Sequence, residues 1–134
     1  MDALVKSAAD LDRTFEVMSR GRNDALLVPP HPFILDERTR VAESAARFKI
    51  PAMYSRREMV EAGGLMSYGV NLAEVYRTLL AGYTDKILRG AKPGDLPVVP
   101  PTKFELVINI KTAKALGLTI PPSLLLRADQ VIDQ

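Results

Sequence analysis

Polar and apolar positions change period several times along the chain. Leu11, Phe15 and Met18 fall at i, i+4 and i+7 behind a Ser7-x-x-Asp10 start, which predicts an amphipathic helix ending at Gly21. "DALLV" (24–28) is a wholly apolar run stopped by Pro29 and Pro30, the pattern of a strand buried on both faces. Asp36 is expected to cap a helix that turns Val41, Ala45 and Phe48 inward. "KIPAMYS" (49–55) supplies a second buried strand and "RREMVEAG" a short helix stopped at Gly63.

The third strand is expected in "GLMSY" (64–68), set between glycines. Asn71 and Glu74 then start a helix whose stripe is Leu72, Val75, Tyr76, Leu79, Leu80, Tyr83 and Ile87, running to about Gly90. Residues 91–101 form a Pro-rich loop, "KFELVINI" (103–110) a fourth strand and "KTAKALG" a helical turn or two. "IPPSLLLRADQVI" is expected to close the chain as a helix, with Pro122 in the tolerated first turn. Strands are thus placed near 24–28, 50–54, 64–68 and 104–110. Their alternation with helices predicts an α/β fold on a mainly parallel sheet.

Composition narrows the class. At 134 residues and 47% hydrophobic content, one domain with a packed core is expected. Eighteen basic residues face sixteen acidic ones, and no basic cluster alternates with aromatics, so nucleic acid is not an expected partner. The chain has no cysteine, which removes disulfides, thiolate metal sites and a cysteine nucleophile. No apolar run reaches the roughly 20 residues of a membrane span. Met1 to Asp10 carries Asp2 and Lys6 and lacks the apolar core of an export signal.

Catalytic machinery is thin. His31 is the only histidine, so a His-rich metal site is excluded, and general acid–base work would rest on a loop residue that packing among prolines explains better. "EAGG" lacks phosphate-loop spacing, and no Gly-x-Gly-x-x-Gly occurs. Glu58 and Glu61 read as solvated helix charges. Arg56 and Arg57 follow the second strand at its C-terminal end, where an arginine can grip a carboxylate with two prongs, or where the pair simply forms a solvated helix start. No catalyst, cofactor or metal is expected. Recognition by strand-end loops is, and the alternative is a non-catalytic α/β interaction or regulatory domain. A regulator would carry an acidic pair after its first strand, whereas "DALLV" runs into Pro-Pro-His-Pro. A small hydrolase would need His31 beside Ser55 or Ser67.

"EAGGLMSYG", "PTKFELVIN" and "KTAKALGLTIPPSLL" stand in a stretch, Ile50 to Ile132, that resembles the C-terminal part of ABC-transporter substrate-binding proteins of the tryptophan/tyrosine type. "DALLVPPHPF" matches more loosely. The resemblance implies an α/β, parallel-sheet, three-layer lobe of a type I periplasmic binding protein, spanning 1–134 with the first lobe missing. Residues 64–102 would form the hinge crossover and its helix. It further implies a periplasmic receptor that hands a small organic solute, such as an aromatic amino acid, to an ABC permease. Site residues are expected at strand ends facing the cleft: Pro30, His31, Phe33, Tyr54, Ser55, Arg56, Ser67 and Tyr68. Phe33, Tyr54 and Tyr68 would stack on the solute and Arg56 would answer a carboxylate. The helix expected over 71–89 would lie on the first lobe or, without it, join two copies in a homodimer.

Overall fold

The computed structural model describes residue 5 and residues 7–21 and 24–133. The Ser7 hydroxyl accepts from the Asp10 N–H (3.2 Å) and starts helix α1, Ala8–Arg20; the Gly21 N–H closes it on the Met18 carbonyl (3.1 Å). Strand β1, Leu26–Val28, runs into α2, Pro32–Asp36, and α3, Arg38–Arg47. The single helix expected after Asp36 is therefore two, and Asp36 ends the first rather than capping the second. Glu37 stands between them with no side-chain cap. Strand β2, Ala52–Tyr54, leads to α4, Arg57–Glu61. Strand β3, Met66–Val70, lies two residues later than the pattern placed it.

Helix 72–88 opens on Asn71, whose side chain accepts from the Glu74 N–H (3.0 Å). Its turn Tyr76–Leu80 is wound as a π-helix before Ala81–Leu88 resumes the α form. Strand β4, Phe104–Asn109, returns antiparallel to β3, with Met66 opposite Ile108 and Val70 opposite Phe104. Short helices Ile110–Ala115 and Pro122–Leu125 follow. The closing segment is not one helix. It ends as strand β5, Gln130–Ile132, parallel to β4. The Asp129 carboxylate accepts from the Leu106 N–H (2.8 Å) and its own N–H donates to the Leu106 carbonyl (2.9 Å), which draws the β-branched pair Val131–Ile132 into the sheet.

The five strands lie in the order β1-β2-β3-β4-β5, with every pair parallel except β3–β4. One face carries Val28, Ala52 and Tyr54, packed beneath Leu11, Phe15, Met18, Val41, Ala45 and Met59 of the helices. The opposite face is open near β1. Leu27 is 73% exposed, so this strand is not buried on both faces as its apolar run suggested. It is the edge strand, and the helix cluster covers only the Val28 side. Among the described residues no helix is long and apolar enough to cross a membrane.

Candidate functional site

Because β1, β2 and β3 are parallel, their C-terminal ends open on one edge of the sheet, where α/β folds gather ligands. Three loops meet there. Pro29–His31 leaves β1, with His31 at the N-cap position just before α2; Ser55 and Arg56 leave β2, with Arg56 at the N-cap position just before α4; Asn71 leaves β3. Proline at the first position of α2 costs no hydrogen bond, because that N–H would have had no helical partner.

A crevice of about 10 Å³, roughly one water, is lined by Pro30, His31, Tyr54, Ser55 and Arg56 among others. Five expected site residues therefore meet in one place. The other three lie elsewhere. Phe33 is half-buried against the helix cluster, Ser67 is buried between β2 and β4, and Tyr68 stands on the opposite face of the sheet. Tyr54 also departs from its expected role. Its ring is 1% exposed and cannot stack on a solute, and its hydroxyl is buried without a hydrogen-bond partner among the described residues; burial pushes the phenol well above its ordinary pKa. Of the three aromatics, Tyr68 alone presents a half-exposed ring, stacked on Phe104 at 5.7 Å. No hydrogen bond joins His31 to Ser55 among the described residues, and no group of three metal-ligating side chains occurs among them.

Beside the crevice lies a larger cleft of about 390 Å³, lined by Arg56, Arg57, Glu58, Asn71, Glu74, Arg77 and Glu105 with Val70, Leu72 and Ala73. Arg56 belongs to both. Its guanidinium holds Glu58 with two prongs, Nε to Oε2 at 3.1 Å and Nη2 to Oε1 at 2.7 Å. These hydrogen bonds hold the Glu58 carboxyl below its usual range and raise the arginine further. Arg57 donates to Glu61 (3.0 Å), Gln130 (2.7 Å) and Glu105 (3.4 Å). Glu105 also accepts from Asn71 Nδ2 (3.0 Å), which ties β4 to the start of helix 72–88. Arg77 pairs with Glu74 at 3.2 Å. Three arginines thus face three glutamates, and the cleft carries no net charge.

The glycines of "EAGGLMSYG" fit this geometry. A Cβ on Gly69 would lie 2.0 Å from the Ser55 carbonyl oxygen, and one on Gly64 would lie 2.6 Å from the Tyr54 ring. Strand β3 therefore passes against the β2 loop at a distance only glycine allows. Sequence reasoning took Glu58 for a solvated charge and passed over Asn71, Glu74, Arg77 and Glu105. The spacing Arg56-x-Glu58 was the one local sign, since the Arg57–Glu105 contact joins residues 48 apart.

A family model for ABC transporter substrate binding proteins matches residues 1–132. A tyrosine-binding protein of Clostridioides difficile is 30% identical over 99 residues, covering 73% of this chain and 28% of its own length. The crystal structure of an ABC domain in complex with L-Trp from Streptococcus pneumonia superposes with a TM-score of 0.83 at 36% identity, over 96% of this chain and 43% of that one. A conserved domain protein from Vibrio cholerae superposes with a TM-score of 0.81 at 27% identity, over 92% of this chain and 41% of that one. The chain spans less than half the length of each of these relatives.

Proposed function

Since the chain belongs to the family of ABC transporter substrate-binding proteins, we propose that it forms one wall of the solute site of an importer's receptor and takes an aromatic amino acid. One observation carries this reading. Arg56 stands where the crevice meets the cleft, at the C-terminal end of a parallel strand, with a geometry suited to a carboxylate. Balanced charge in the cleft suits a zwitterion better than an anion. The tyrosine-binding and L-Trp-bound relatives support the amino-acid class. Tyr68, with Phe104 stacked beside it, offers a half-exposed aromatic surface on β3. Pro30, His31, Tyr54 and Ser55 line the crevice, and Phe33 and Ser67 lie outside it.

In this reading β3 and β4 are the crossover between two lobes, which is why they alone run antiparallel. Residues 64–102 leave the lobe, and helix 72–88 serves the first one. That helix has no fully buried residue, and Tyr76, Leu80 and Leu88 are 57%, 52% and 82% exposed. Where no first lobe covers it, the same stripe is our proposed two-fold contact between copies. The receptor works in the periplasm, has no catalytic role and delivers its solute to an ABC permease.

Added L-tryptophan reports binding through the change in its own indole fluorescence, read against a blank of the protein without the amino acid. Titration of the full gene product should give a saturable change that Arg56→Ala abolishes. Emission indifferent to the protein would refute the reading.

A further inference from the structure

Glu58 occupies only part of Arg56. It spans the Nε–Nη2 edge of the guanidinium, and the Nη1–Nη2 edge has the geometry to receive a second carboxylate. A solute carboxylate docked there would stand within a few ångströms of Glu58, two anions on one cation. The remaining cations of the cleft are already engaged. Arg57 is held by Glu61, Gln130 and Glu105, and Arg77 by Glu74. None is in surplus to offset the added charge. The conflict disappears when the solute carries an ammonium one carbon away from its carboxylate, because that group reaches Glu58 while the carboxylate stays on Arg56. Both side chains are accessible, at 27% and 38% exposure.

We propose that Glu58 is a specificity-determining residue, which accepts the α-ammonium of the solute and makes the site reject acids that lack one. The proposal rests on the amino-acid reading above and adds to it a named residue with a named partner group. It also gives the Arg56–Glu58 pair a purpose beyond stability, since a half-exposed ion pair contributes little to folding.

The test compares L-tryptophan with indole-3-propionate, which keeps the ring and carboxylate but has no ammonium, by calorimetry on the full gene product. The wild type should prefer tryptophan at least tenfold, as expected for like charges at close range in a partly screened site. Glu58→Gln should cut that preference roughly tenfold, mainly by improving indole-3-propionate, and Glu58→Asp should restore part of it. A preference unchanged in Glu58→Gln overturns the proposal and leaves the amino-acid reading standing. Failure of both ligands to bind the wild type overturns both. The wild-type arm needs no variant to fold, and equal affinity for the two ligands there also refutes the role of Glu58.

Discussion

Replacing Gly69 by alanine isolates the close approach between β3 and the loop after β2. The new Cβ would sit 2.0 Å from the Ser55 carbonyl oxygen and 2.9 Å from its carbon. Carbon and oxygen do not approach closer than about 3 Å without a bond, so β3 or the β2 loop must move by roughly 1 Å. Both partners are backbone, so no side chain can swing aside. The movement loosens the β2–β3 pairing of Tyr54 with Ser67 and disturbs Arg56, one residue from the clash. Overpacking of this kind costs about 1–3 kcal/mol, and the rigid contact puts Gly69→Ala near the top of that range. For a domain of this size, that lowers the melting temperature by about 10 °C. Gly82→Ala is the control. Gly82 lies inside helix 72–88 with nothing within 4 Å of a built Cβ, so alanine there should be neutral or stabilise by up to about 1 kcal/mol. Thermal denaturation followed by circular dichroism separates the two. A Gly69→Ala variant melting within about 2 °C of wild type would refute the argument.

Tyr54→Phe removes a buried hydroxyl that has no partner among the described residues, so urea denaturation should find it neutral or up to about 1 kcal/mol more stable; a loss larger than that would contradict the orphaned hydroxyl. The Glu58 carboxyl is depressed by its hydrogen bonds to Arg56, so its stabilisation is present above the unfolded carboxyl pKa and lost as pH falls through the lower folded value. Wild-type stability should therefore fall below about pH 4.5, with Glu58→Gln losing part of that slope, and parallel pH profiles would contradict this. Sedimentation equilibrium at micromolar concentration should give a dimer of the 134-residue chain that polar replacements of Leu79 and Tyr83 dissociate. A monomer mass before and after replacement would exclude it.

Elements whose signals are local were legible in the sequence. Ser7 with Asp10 starts α1 and Asn71 with Glu74 starts helix 72–88, each through one side chain reaching its own first turn. What the pattern missed depends on distant partners. Strand β5 is three residues long and is held by Leu106, 23 positions away from Asp129. Leu27 has the apolarity of a two-sided strand, but its place at the sheet edge leaves it in solvent. The site was half legible for the same reason. Strand-end position found Pro30, His31, Ser55 and Arg56. It could not tell that the Tyr54 ring turns into the core, nor that Asn71 and Glu105, 34 residues apart, meet beside Arg57.

The position of a bound solute tests the central claim most directly. A crystal structure of the full gene product grown with L-tryptophan should place the amino acid at the C-terminal ends of β1, β2 and β3, with its carboxylate on Arg56. Tryptophan bound away from that edge, with Arg56 touching only Glu58, would contradict the account.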